Sequence, residues 1–180
     1  MKEIEVKAYL KNEEQIIEKL KALGCILSES IRQIDTVYTR IPAKTVDEYF
    51  KNDHFVRIRE KSDGKFILTV KRPLSKEIQA KIEHETEVKN IKELEQALFL
   101  MGYNIANKII KVRRITNYKE FEICIDEVEN MGSFIEIEKM SEEDFNIVKK
   151  ELNEFLMSLG VSLDDEVRKG YDILAIEKQL

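Results

Sequence analysis

Charged and apolar residues alternate strictly at the start of the chain. In KEIEVK, Lys2 to Lys7, the charged Glu3, Glu5 and Lys7 interleave with Ile4, Val6 and then Ala8. A period of two is a strand signature and puts the three charged side chains on one face. Glu83 to Val88 alternates in the same way. Further strands are predicted over Phe55 to Glu60, Lys65 to Arg72, Ala106 to Thr116, Phe121 to Val128 and Ser133 to Lys139. Cys25 to Ile41, rich in Ile, Thr, Val and Tyr, reads as extended. The sequence SDGK turns one hairpin, with Gly64 at the position that favours positive φ.

Elsewhere the period is helical. Ile16, Ile17, Leu20 and Leu23 form the apolar stripe of a helix over Glu13 to Leu23, with Asn12 as N-cap and Gly24 as stop. A second helix spans Ile91 to Met101 and stops at Gly102. A third spans Glu142 to Leu159, with Ser141 as N-cap, Asp144 three residues on and Gly160 as stop. A short helix is expected over Tyr171 to Glu177, and Pro42 to Asp53 reads as a polar loop. The order strand, helix, glycine also recurs. EIEVK precedes a helix ending in LGC, ETEVK one ending in MGY, and EIEK one ending in LGV. Duplication would produce this pattern, and so would chance in a chain rich in Lys and Glu.

The 180 residues fit a single domain, 1–180, with a substantial core. A net charge of -5 makes non-specific nucleic-acid binding an unexpected role. Two well-separated cysteines and two histidines give no zinc signature and fit a reducing cytoplasm. No apolar run approaches a membrane span and no secretory signal is visible, so no membrane partner is expected. Monomer and homodimer both remain open.

The charge changes the picture because of where it falls. Arg57 and Arg59 flank Ile58. Lys71 ends FILTVK, and Lys111 and Arg113 flank Val112. Glu122, Cys124 and Asp126 alternate with Phe121, Ile123 and Ile125, and Glu136 and Glu138 with Ile135 and Ile137. Most strands therefore carry one apolar and one charged face. A flat sheet with a solvated face would explain that. So would a sheet of about eight strands curled into a barrel, its lumen lined by acids and bases. Burying such charges costs several kcal/mol per ion unless they are paired or ligated. Lysines and arginines suit phosphates, and carboxylates among them suit a bridging divalent cation.

The ordered set is Glu-x-Glu-x-Lys, Arg-x-Arg, the lysine of LTVK, Glu-x-Glu, Lys-x-Arg, Asp and a late Glu-x-Glu strand. It resembles the CYTH superfamily, the triphosphate tunnel enzymes that include class IV adenylyl cyclases and several triphosphatases. IRQIDTVYTR is similar to the family's second-strand segment, and the resemblance runs from Glu3 to GYDIL, where Gly170 stands in place of a frequent Ser. It implies an α+β fold, an eight-stranded antiparallel β-barrel with helices packed outside. It further implies Mg²⁺ or Mn²⁺ on Glu3, Glu5, Glu136 and Glu138. Lys7, Arg57, Arg59, Lys71, Lys111 and Arg113 would grip a triphosphate. Glu85 and Glu87 would orient those bases or hold a second metal, and Asp126 would position substrate or water. Glu5, Lys71, Asp126 and Glu136 are the implied catalytic residues.

The expected partner is a nucleoside triphosphate or another triphosphate. The expected reaction is ATP cyclisation to cAMP and pyrophosphate, with triphosphate hydrolysis next and a non-catalytic nucleotide-binding module as the alternative outside enzymes. His54 and Phe55 are the nearest candidates to touch a base. Neither cysteine reads as a nucleophile.

Overall fold

The computed structural model describes residues 2–73 and 81–178. Eight strands are present: β1 (Lys2–Tyr9), β2 (Ile31–Thr39), β3 (Phe55–Lys61), β4 (Phe66–Pro73), β5 (Lys81–Val88), β6 (Asn104–Tyr118), β7 (Phe121–Val128) and β8 (Gly132–Ser141). They hydrogen-bond in the order β1-β8-β7-β6-β2-β3-β4-β5. Neighbours run antiparallel, as expected for the α+β class. The helices are α1 (Glu13–Ala22), α2 (Val46–Tyr49), α3 (Ile91–Leu100), α4 (Phe145–Ser158) and α5 (Tyr171–Lys178). No helix among the described residues is long and apolar enough to cross a membrane.

Two compact units divide the chain. The first comprises Met1–Ile31 and Lys111–Arg168. Its core takes the apolar parity of each strand: Ile4, Val6 and Ala8 of β1, Ile123 and Ile125 of β7, Ile135 and Ile137 of β8. Ile16 and Leu20 of α1 and Val148, Leu152 and Leu156 of α4 cover that face at helical spacing. Fully burying one such side chain is worth about 1.5–3 kcal/mol, so the alternation fixes which face turns inward. A short 3₁₀ turn, Leu163–Asp165, leads to Val167, whose N–H donates to Lys7 O at 2.7 Å along the edge of β1.

The second unit comprises Arg32–Ile110 and Lys169–Leu180. Its core gathers Tyr38, Val56, Ile58 and Leu98, with Phe66, Leu68 and Val70 of β4 and Ile91 and Leu94 of α3 against them. The helix stops fall where the glycines predict. Gly24 and Gly102 take φ of 84° and 85°, a backbone region that other residues avoid.

Three boundaries differ from the pattern-based expectation. α4 begins at Phe145 with Asp144 as its N-cap, not at Glu142 after Ser141. Ser141 still belongs to β8 and pairs with Lys2 of β1, so its backbone is committed to the sheet. Within the expected loop from Pro42 to Asp53 lies α2, closed by a capping box in which Thr45 and Glu48 bind each other's backbone N–H. Of the extended segment Cys25 to Ile41, only Ile31–Thr39 is strand; Ser28 N–H instead donates to Ile115 O of β6 at 2.8 Å.

Candidate active site

In the first unit, strand register builds a ladder from the charged parity. Lys7 of β1 stands opposite Glu136 of β8, and Glu5 opposite Glu138. Across β7 and β8, Cys124 faces Glu136 and Glu122 faces Glu138; Arg113 of β6 faces Asp126. Lys7 Nζ lies 3.0 Å from Glu136 Oε1. Arg113 Nε donates to Asp126 Oδ1 at 2.6 Å, and its Nη2 reaches Glu136 as well. Lys111 Nζ donates to Asp126 Oδ2 at 3.0 Å. This face is not solvated: Lys7, Lys111, Arg113 and Glu136 are buried, and Asp126 is 0% exposed.

Pairing is what allows that burial. Burial opposes ionisation of Glu136, but Lys7, then Arg113 and Lys111, outweigh it and hold the carboxyl well below the usual range. Burial likewise opposes the charge on Arg113, yet Glu136 and Asp126 keep the guanidinium firmly protonated. Asp126, with both oxygens engaged by cations, acts on its surroundings through Arg113 and Lys111.

Beside this network is an acid cluster. Glu3, Glu5 and Glu138 each bring a carboxylate oxygen within 4.8 Å of the others. Burial first, and then the charge of Glu3, push the Glu138 carboxyl up to about 8. A converging set of oxygen donors suits a hard divalent cation such as Mg²⁺ or Mn²⁺, so these residues fit the metal that the sequence implies. Glu136, also expected among the ligands, is engaged by Lys7 and Arg113. Glu122, which the motif pattern leaves without a role, forms a second close group with Cys124 and Glu138. The Cys124 thiol is raised by burial, which keeps it protonated and a poor nucleophile.

The second unit places its cations against acids too. Arg59 Nε and Nη2 donate to the two oxygens of Asp35, each at 2.7 Å. Arg57 Nη2 donates to Thr69 Oγ1 and Glu85 Oε1, each at 3.0 Å, and Lys71 Nζ to Glu83 Oε1 at 2.6 Å. Glu85 thus joins Arg57, whereas Glu87 is exposed, opposite Ile67 on β4. Asp35, Thr69 and Glu83 share the charged parity of their strands, and Asp35 also lies in IRQIDTVYTR, the segment that resembles the family's second strand. Neither base-reading candidate is a bare surface group. Phe55 stacks on Tyr49 with ring centroids 4.2 Å apart, and His54 Nε2 lies 2.5 Å from Tyr103 Oη.

An antiparallel eight-stranded sheet whose charged faces hold clustered acids and paired bases is the arrangement of a triphosphate tunnel protein. The CYTH domain model matches residues 1–171, and the chain belongs to the CYTH family. A Methanocaldococcus jannaschii protein described as a putative adenylate cyclase is 31% identical over 175 residues, 95% of this chain and 97% of that protein. The structure of the Pyrococcus horikoshii protein PH1819 superposes with a TM-score of 0.82 at 27% identity, covering 98% of this chain and 99% of the other. A structure from Vibrio parahaemolyticus, also described as a putative adenylate cyclase, shares the fold with a TM-score of 0.79 at 22% identity. The match covers 97% of this chain and 98% of the other.

Proposed function

We propose that this protein is a divalent-metal-dependent enzyme that converts ATP to cAMP and pyrophosphate. The observation that carries the reading is the oxygen cluster of Glu3, Glu5 and Glu138 beside the buried, carboxylate-paired cations Lys7, Lys111 and Arg113 of the first unit. Converging carboxylate oxygens suit a divalent cation, and cations aimed by Glu136 and Asp126 suit phosphate oxygens. The description of the M. jannaschii relative as a putative adenylate cyclase favours cyclisation over other triphosphate chemistry.

In this reading Glu3, Glu5 and Glu138 hold Mg²⁺ or Mn²⁺, which when bound neutralises phosphate charge and polarises a phosphorus–oxygen bond. Lys7, Lys111 and Arg113 bind phosphate oxygens, and Arg57, Arg59 and Lys71 of the second unit are further phosphate ligands. Glu136 and Asp126 aim the cations of the first unit. The ribose 3′-hydroxyl gives its proton to water as its oxygen attacks the α-phosphorus; the new ester bond forms, and the bond from the α-phosphorus to the bridging oxygen breaks with its electron pair leaving on pyrophosphate. The residues contribute alignment and charge stabilisation, which supply most of the catalysis in phosphoryl transfer.

Hydrolysis of the terminal phosphate is the second reading. It is favoured by Phe55 and His54, whose contacts with Tyr49 and Tyr103 leave the sequence's base-reading candidates engaged within the protein. Product analysis with ATP and Mn²⁺ or Mg²⁺ separates the two. cAMP with pyrophosphate supports the cyclase. Orthophosphate with ADP, or fast cleavage of tripolyphosphate without cAMP, replaces it by the triphosphatase, and no turnover of any triphosphate removes both.

A further inference from the structure

We propose that Asp35 is a positioning residue that sets the guanidinium of Arg59 for phosphate binding; this rests on reading the chain as a triphosphate enzyme. Asp35 lies on β2 directly opposite Arg59 on β3 and is 4% exposed. Its two oxygens accept from Nε and Nη2 of Arg59, each at 2.7 Å, a bidentate fork that fixes the plane of the guanidinium as well as its position. Oδ2 also lies 3.9 Å from Nη1 of Arg57. Arg57 is braced on its other side by Thr69 and Glu85, and Thr69 Oγ1 donates to that same Glu85 oxygen at 2.6 Å. The buried carboxylate thus faces two arginines two residues apart on one strand.

Two bland roles are open to such a group. As a metal ligand it would need other acids nearby; among the described residues, the groups of close ligand atoms consist of Glu3, Glu5, Glu122, Cys124 and Glu138, none of them on β2. As a plain stabilising ion pair it would be a poor choice, since a buried pair is often no better than well-packed apolar residues. A negative charge beside phosphate-binding arginines also works against anion affinity by simple electrostatics. Holding Arg59 in one orientation is a gain that offsets that cost, because a rigid fork loses less freedom when phosphate arrives.

The opposition between charge and geometry supplies the test. Inorganic tripolyphosphate is titrated calorimetrically into wild type, Asp35→Asn, Arg59→Ala and the double variant, with thermal melts confirming folding. If Asp35 mattered only through its charge, Asp35→Asn would bind more tightly. Positioning predicts binding weaker by about tenfold, the low end of what partners that orient the ligands of a built site are worth. It also predicts a raised KM with a smaller change in kcat, and a double variant no weaker than Arg59→Ala alone. Should Asp35→Asn fail to fold, Asp35→Glu keeps the acceptors and carries the same comparison, with affinity recovering part of the way. An Asp35→Asn protein that binds tripolyphosphate as tightly as wild type or more so overturns the inference alone. A wild type that binds neither tripolyphosphate nor ATP overturns the functional reading and the inference with it.

Discussion

Lys7 and Glu136 stand opposite each other on adjacent antiparallel strands, Nζ 3.0 Å from Oε1, with side chains only 5% and 9% exposed. Arg113 shares the same carboxylate. Glu136 is therefore the pivot of a cation network. Removing one partner of a buried pair leaves an uncompensated charge and costs about 3–5 kcal/mol. Glu136→Ala is expected to lower the melting temperature by several degrees and to raise KM for a triphosphate, while Mn²⁺ affinity changes little. Calorimetry on the folded variant checks this. Loss of Mn²⁺ binding equal to that of a Glu5 variant would return Glu136 to the metal ligands.

Glu5→Ala should behave in the opposite way. Glu5 lies opposite Glu138 and in close reach of Glu3, so its loss removes one of three converging oxygen donors. Mn²⁺ binding, followed by electron paramagnetic resonance, should weaken by tenfold or more, about what losing a ligand-shell partner costs at the least. A variant that binds Mn²⁺ as wild type does would remove the acid cluster as the metal site.

The contrast between Glu136 and Glu138 marks how far the sequence could be read. Both sit on one strand with the same parity, two residues apart, and alternation alone makes them equivalent. Register separates them: Glu136 meets Lys7 and Cys124, Glu138 meets Glu5 and Glu122. Register is decided by pairing across strands far apart in the chain, which local periodicity does not encode. Faces, helices and glycine stops depend on neighbours within a few residues and were legible for that reason. α2 escaped because four residues are too few to set up a helical stripe, although the Thr45–Glu48 capping box was present in the sequence. The partnership of Asp35 with Arg59 is again a cross-strand fact.

Lys71 tests the second unit. Its ammonium donates to Glu83 at 2.6 Å on the neighbouring strand, and Phe55 stands opposite it on β3. Hydrogen bonds to charged groups contribute about 1.5–3 kcal/mol. Lys71→Ala should therefore raise KM for ATP by about ten- to a hundredfold, with a melting temperature near that of wild type since Lys71 is only half-buried. Steady-state kinetics beside a thermal melt decide the matter. An unchanged KM would take Lys71 out of the phosphate-binding set.

Glu138 makes the metal-free protein pH-sensitive in a direction that can be worked out. Burial and the charge of Glu3 raise its carboxyl from the ordinary 4.5 to about 8 in the folded state. The folded chain thus holds a proton that the unfolded chain has already released. Its contribution to stability is full below about 4.5 and is lost as pH rises through about 8. Glu136 works the other way and lies lower: its depressed carboxyl supports the fold above 4.5 and fails only in stronger acid. Between pH 5 and 8, then, the slope belongs to Glu138 and should be downward in chelator-treated protein. Glu138→Gln, which stays neutral throughout, should flatten that slope and leave the acid limb in place. Melting temperatures of both proteins across this range, in EDTA, give the answer. A wild-type curve that rises toward pH 8, or a Glu138→Gln curve that falls as steeply as wild type, would show that the acid cluster carries no excess proton.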